Sequence, residues 1–127
     1  EMITETVVEL LIGVVRDPAH GYVLTLAAGG TLTEILKDSA TLLLPTTPDA
    51  IKTALSALRI APILQGYRGK PGAAEDAIVA AVQAVQDYVL AHAGQVEEVE
   101  VNPLICTSTR AIAADALIRI APQGDET

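Results

Sequence analysis

The chain has 127 residues, of which half are hydrophobic, and its 16 acidic and eight basic residues give a formal net charge of −8. This length suits one domain, no apolar run approaches the ~20 residues that cross a bilayer, and no secretory signal opens the sequence. The acidic balance and the scarcity of aromatic residues argue against nucleic-acid binding. The single cysteine, Cys106, needs no oxidising compartment, and we expect it to be a small core residue. We therefore predict a cytoplasmic protein that contacts neither membrane nor nucleic acid.

The first third of the chain has the pattern of extended structure. Residues 7–15 (VVELLIGVV) and 22–26 are predicted strands of a hairpin, because residues 16–21 between them contain Pro and Gly. Residues 32–44 fit either a helix or a strand. Their threonines and the leucine run before Pro45 favour an extended, bent strand.

Two helices are predicted in the middle of the chain. Thr47-Pro48-Asp49 is typical of a helix start, and apolar residues at helical spacing follow at Ile51, Leu55 and Leu58. Residues 65–72 (QGYRGKPG) form a predicted loop. A longer helix is expected over residues 74–91, ended by Gly94, with a buried stripe of Ile78, Val82, Val85 and Val89.

Two strands, residues 96–106 and 111–120, are predicted to close the chain, followed by a polar tail. The order of strands, helices and strands lacks a regular βαβ alternation. It predicts an α+β fold in a single domain over residues 1–127, with a mainly antiparallel sheet and two helices packed on one face.

Polar side chains alternate along the strand from Val96. Alternate strand residues share a face, so Glu98, Glu100 and Asn102 should lie on one side of the sheet. If the next strand folds back about a turn at Ser108-Thr109, Asn102 lies opposite Asp115. An amide oxygen and a carboxylate at that separation suit Mg²⁺, which prefers oxygen ligands.

The same alternation is also typical of the solvated face of a half-exposed sheet. A shift of one residue in the register would place Asn102 and Asp115 on opposite faces. Asp115 lies among alanines and leucine, so its carboxylate must either face water or have a partner. The residues alone leave both interpretations open.

The segment 98–104 (EVEVNPL) followed by 113–118 (AADALI) resembles the closing motif of ATP-grasp domains in ADP-forming acyl-CoA synthetases and succinyl-CoA synthetase β subunits. Further blocks resemble the acyl-CoA synthetase branch, in the same order along nearly the whole chain: residues 9–18 with Gly21, residues 29–38, and residues 66–71. Two residues depart from the family pattern. His20 stands where an aromatic residue is common, and Leu42 stands where an arginine is common.

The resemblance implies an Mg²⁺ ion and ATP or ADP as ligands. It assigns the metal to Asn102 and Asp115, with Glu100 as a supporting group. Glu9, Arg16 and Arg68 become candidate nucleotide contacts, although an exposed surface role fits each of them as well. No residue is assigned a catalytic role.

By this resemblance, the chain is a fragment of an ATP-grasp domain from a longer ligase. Such a ligase joins an acid to CoA with formation of ADP, through acyl-phosphate and phosphohistidine intermediates. Its expected partners are the remainder of the ATP-grasp domain and a CoA-binding domain, in the same chain or in a partner subunit. The isolated fragment is expected to have no ligase activity. The alternatives are a related ligase for another acid, or a non-catalytic nucleotide-sensing or regulatory module fused to an acyltransferase. A second copy of the same chain, in a homo-oligomer, is a further candidate partner.

Overall fold

The computed structural model describes residues 5–29 and 38–122, and nine helices and strands lie within those ranges. They are β1 (Thr6–Asp17), β2 (Gly21–Ala28), β3 (Ser39–Leu43), α1 (Pro48–Ser56), α2 (Ala61–Gln65), α3 (Glu75–Ala91), β4 (Val96–Thr107), β5 (Ala111–Ala113) and β6 (Ala116–Ile120). No helix within the described ranges has the length and apolar character needed to cross a membrane.

The six strands form one antiparallel sheet. Its order is β3-β2-β1-β4-β5, and β6 also pairs with β4, on the edge that β5 occupies further along. The two longest strands, β1 and β4, are neighbours in the middle of the sheet. The predicted α+β class and the antiparallel sheet are confirmed.

The core lies between one face of this sheet and the helices. Alternate residues of the central strands are buried on that face, among them Leu10, Ile12 and Val14 of β1 and Val99 and Val101 of β4. The apolar residues that the helical spacing predicts are buried here: Ile51 and Leu55 of α1, Leu58 just after its end, and Ile78, Val82 and Val89 of α3, with Val85 partly buried beside them. Aliphatic residues on alternate strand positions therefore produce a sheet with one covered face.

The start of α1 is as the sequence predicts. The Thr47 hydroxyl accepts a hydrogen bond from the Ala50 backbone N–H at 3.2 Å, Pro48 occupies the first turn, and Asp49 follows it. This side-chain cap satisfies an N–H group that has no partner within the helix.

Three details differ from the sequence prediction. The strand predicted over residues 32–44 is confined to Ser39–Leu43 in the described ranges, and residues 30–37 lie outside them. The strand predicted over residues 111–120 is two strands, separated at Ala114 and Asp115. The third helix, α2, is five residues long and was not predicted, because so short a segment shows no apolar period.

Candidate functional site

The strand register around Asn102 is the one that the sequence predicts. Val101 pairs with Ala116 on one side, and Leu104 pairs with Ala113 on the other. Between these pairs, the Asn102 N–H donates to the Asp115 carbonyl oxygen at 3.0 Å. Asn102 and Asp115 are therefore direct neighbours across the sheet.

The chain is irregular on both sides of this contact, in β4 at Asn102 and between β5 and β6 at Asp115. On the β1 side, Ile12 pairs with Val101 and Leu10 with Leu104, so Asn102 and Pro103 together oppose the single residue Leu11. This is a β-bulge, and bulges redirect side chains and are common beside functional sites. On the other side, the gap between β5 and β6 contains Asp115. The bulge and the gap therefore lie side by side in the sheet, at the level of Asn102 and Asp115.

The side chains on this face are oriented by one another. The Asn102 Nδ2 donates to Glu100 Oε2 at 3.5 Å, and both residues are half-buried. Because the Nδ2 faces Glu100, the amide oxygen Oδ1 faces away, and it accepts no hydrogen bond from the residues that the structure describes. Asp115 is exposed, so of the two possibilities that its apolar neighbours in the sequence left open, its carboxylate faces water.

The charges around this pair leave Asp115 and Glu100 available for a cation. Glu98, two residues before Glu100, is engaged by Arg119 at 3.2 Å. Within the described ranges, no Lys or Arg forms an ion pair with Glu100 or Asp115. The pair of carboxylates and the amide oxygen are all hard oxygen donors, the type that Mg²⁺ prefers.

The protein donors alone make an incomplete metal site. No group of three or more His, Cys, Asp or Glu side chains in residues 5–29 and 38–122 is placed to hold a metal ion. Mg²⁺ in nucleotide sites commonly takes one or two carboxylates and fills its remaining positions with phosphate oxygens and water. The set Glu100, Asn102 and Asp115 fits that type of site.

The three other candidate residues are distributed over the molecule. Glu9 pairs with Ile105 and, by strand alternation, lies on the same face of the sheet as Glu100 and Asn102. Arg16, at the end of β1, contacts Glu97 Oε2 at 3.3 Å and the Gly94 carbonyl oxygen at 3.4 Å. Arg68 lies in the loop after α2. The geometry thus groups Glu9 with the candidate metal site and adds no support for nucleotide contacts by Arg16 and Arg68, which remain predictions.

Asp38 is a buried acidic residue to which the sequence analysis gave no role. Its carboxylate accepts the backbone N–H groups of Arg59 at 2.6 Å and Ile60 at 2.9 Å, at the entry to α2. The carboxylate therefore caps a helix whose own N-cap residue supplies no side-chain bond. An acid directly before a β-strand is the one available signal, and it does not identify partners that lie 21 and 22 residues away.

A comparison with known families identifies the class of protein to which this antiparallel sheet with helices on one face belongs. A family model described as an ATP-grasp domain matches residues 1–120. The chain belongs to the ATP-grasp family, and the resemblance seen in the sequence is confirmed.

Within this family, the chain is similar to subunits of ADP-forming acetate–CoA ligases. The chain is 30% identical over 108 residues to the acetate–CoA ligase [ADP-forming] I subunit beta of Pyrococcus furiosus, covering 85% of the chain and 46% of the relative. It is 32% identical over 96 residues to subunit beta of the corresponding ligase II of the same organism, covering 76% and 41%. The chain thus spans less than half of the length of these relatives.

Solved structures give the same fold. A crystal structure of a Pyrococcus horikoshii protein matches 96% of the chain and 52% of its own length, with a TM-score of 0.87 and 30% identity. Acetyl-coenzyme A synthetase 1 of Ca. Korarchaeum cryptofilum, in complex with coenzyme A and Mg-AMPPCP, matches 90% of the chain and 53% of its own, with a TM-score of 0.83 and 24% identity. At that identity the second structure supports the fold alone.

Proposed function

We propose that this chain is the part of an ADP-forming acid–CoA ligase that holds the magnesium-bound phosphates of ATP or ADP. Asn102 and Asp115 bind the cation in this proposal, and Glu100 supports them. The observation that carries it is the pairing of Asn102 with Asp115 at a bulge, on a face where no described cation engages Asp115 or Glu100. The names of the relatives support the reaction, since both P. furiosus subunits belong to ADP-forming acetate–CoA ligases.

Each residue of the set has a separate task. Glu100 accepts the Nδ2 hydrogen of Asn102 and so turns the amide oxygen away from itself. Asp115 presents its carboxylate from the gap between β5 and β6, where solvent and phosphate oxygens can reach it. Asn102 and Asp115, supported by Glu100, would hold Mg²⁺ against the phosphates, where the ion would supply neutralisation of phosphate charge. Glu9 lies on the same face of the sheet and would contact the nucleotide in this proposal.

The complete reaction needs more protein than this chain. We propose that the remainder of the ATP-grasp domain and a CoA-binding domain, in the same chain or a partner subunit, complete the cleft. The parent ligase then couples an acid, CoA and ATP through acyl phosphate and phosphohistidine, and the isolated chain does not turn over. The single domain over residues 1–127, the cytoplasmic location and a homo-oligomeric state stay predictions from the sequence.

A non-catalytic nucleotide-sensing module is the alternative function. Both functions need the same phosphate-binding face, so binding of nucleotide does not separate them. Consumption of ATP that depends on both an acid and CoA, by the full-length protein that carries this sequence, supports the ligase. Nucleotide binding without such turnover supports the sensor.

The metal assignment is tested by Asp115→Asn in the same full-length protein. Loss of a group that merely supports a metal ligand lowers activity roughly 10–100-fold, so we expect loss of this carboxylate to lower Mg-dependent turnover by about 100-fold or more. Glu98→Gln is the control, because Glu98 lies on β4 with Glu100 and Asn102 but is paired with Arg119. Equal activity in Asp115→Asn and Glu98→Gln would exclude the assignment.

A further inference from the structure

A pocket of about 420 Å³ lies at the end of the sheet, away from the candidate metal site. Its walls include the apolar side chains of Val7, Ile63 and Pro71. Volumes of roughly 300–1,000 Å³ with mainly apolar walls and a few polar groups are typical of small-molecule sites. The size and walls of this pocket therefore suit a small organic ligand.

The polar side of the pocket is a tight turn, Tyr67 to Lys70. The Tyr67 N–H donates to the Lys70 carbonyl oxygen at 3.2 Å, and the Lys70 N–H donates to that of Tyr67 at 3.0 Å. The two central residues, Arg68 and Gly69, have φ values of 53° and 78°. Positive φ at both central positions is the mark of a type I′ turn, a short rigid hairpin connection.

Arginine is an uncommon residue at the first central position of such a turn. The left-handed conformation is unfavourable for a residue with a Cβ, and Asn or Gly is the usual choice there. Arg68 is the one non-glycine residue with positive φ in the described ranges. Residues held in such a conformation often lie at binding sites, which makes Arg68 a candidate contact.

The base of the loop fixes the position of this turn. The Ala73 N–H donates to the Leu64 carbonyl oxygen at 2.8 Å, which closes the loop onto α2. A Cβ at Gly72 would lie 2.5 Å from the same Leu64 oxygen, so only glycine allows this approach. The turn therefore presents its side chains from a preorganised support.

The charges of the turn have no neutralising partner in the described part of the chain. The guanidinium of Arg68 lies 5.2 Å from the centre of the Tyr67 ring, and neither Arg68 nor Lys70 forms an ion pair there. Glu5 is the one acidic residue among the lining residues, which also include Ser108. Two cations beside one acid, in a chain of net charge −8, make this pocket locally positive.

We propose that this pocket binds a small organic phosphate. Arg68 and Lys70 hold the phosphoryl group, with Ser108 as a hydroxyl donor, and the organic part packs against Val7, Ile63 and Pro71. Two cations match the charge of a phosphate monoester better than that of a single carboxylate. Ser108 follows Asn102 by six residues along β4 and its turn, or roughly 20 Å at strand spacing, so this site is distinct from the metal site.

Titration of the ¹⁵N-labelled chain with phenyl phosphate tests the proposal. We expect saturable amide shifts at Gly66, Gly69 and Ser108, and weaker binding of inorganic phosphate, which lacks the apolar part. Arg68→Gly should weaken the binding of phenyl phosphate at least 10-fold and keep the fold, because glycine adopts positive φ without strain. Arg59→Ala, another exposed arginine, is the control and should bind phenyl phosphate like the unaltered chain.

Three outcomes would overturn the proposal: no saturable shift, equal affinity of Arg68→Gly and the unaltered chain, or the same shifts with sodium chloride at matched ionic strength. Asp115→Asn separates this site from the proposed function. Phenyl phosphate binding should be unchanged in that variant whether or not the metal assignment holds.

Discussion

At the scale of single residues, burial determines the reactivity of the Cys106 thiol. The side chain is fully buried, and this burial raises the pKa of its thiol from 9.0 to about 12. The thiolate is the reactive form, so a buried neutral thiol is inert. Its position on the inner face of β4 agrees with the core role predicted from the sequence.

We expect iodoacetamide at pH 8 to leave Cys106 unmodified in the folded chain and to alkylate it fully in guanidinium chloride, as measured by mass spectrometry. Rapid alkylation of the folded chain would contradict this account.

The raised pKa of Cys106 also makes the stability of the fold depend on pH. Above pH 9 the unfolded chain loses the thiol proton while the folded chain keeps it, so the free energy of unfolding should fall as the pH rises from 9 toward 12.

At the scale of elements, one tyrosine connects strand β2 with the segment between α3 and β4. The buried Tyr22 hydroxyl donates to the Val96 carbonyl oxygen at 2.7 Å and accepts from the Gly94 N–H at 3.2 Å. Gly94, with φ of 89°, provides the sharp change of direction after α3 that brings its N–H to this hydroxyl.

Tyr22→Phe removes both hydrogen bonds and leaves two backbone groups without their partner. We expect the free energy of unfolding to fall by about 1–3 kcal/mol, measured by urea denaturation. Tyr67→Phe is the matched control, because Tyr67 is exposed and its hydroxyl makes no hydrogen bond in the described ranges. A similar loss in both variants would show that the Tyr22 hydroxyl has no special role.

The sequence predicts elements well where one periodic pattern decides the outcome. The apolar alternation of β1 and β4 and the stripe of α3 specify which residues are buried, and the turn at Ser108-Thr109 specifies the register that pairs Asn102 with Asp115. The break between β5 and β6 could not be predicted, because the apolar pattern of residues 111–120 does not mark it. The capping of α2 by Asp38 could not be predicted either, because the contact joins residues distant in the chain.

At the scale of the whole molecule, β6 is an exposed edge strand of the sheet. All five residues of β6 are exposed, and Leu117, Ile118 and Ile120 keep 59%, 44% and 44% of their surface accessible. No described strand pairs with the outer edge of β6. An exposed apolar edge strand is a template for pairing with another chain.

We expect the isolated chain to self-associate as its concentration rises, and Ile118→Lys to shift it toward the monomer, as measured by sedimentation velocity. A lysine on an edge strand opposes pairing by its charge. Ile63→Lys is the control, because Ile63 is 43% exposed but lies on α2 rather than on the sheet edge. A chain that stays monomeric at all concentrations, or an equal effect of both substitutions, would contradict an associating edge.

The central claim is that Asn102 and Asp115 present oxygen ligands to one divalent cation. The most direct test adds Mn²⁺ and ADP to the ¹⁵N-labelled chain and follows paramagnetic broadening of its NMR signals. The account predicts that the Asn102 side-chain amide and the Asp115 backbone amide broaden first, and that Asp115→Asn abolishes this while Glu98→Gln does not. Broadening centred on other residues, or the same broadening in Asp115→Asn, would contradict it.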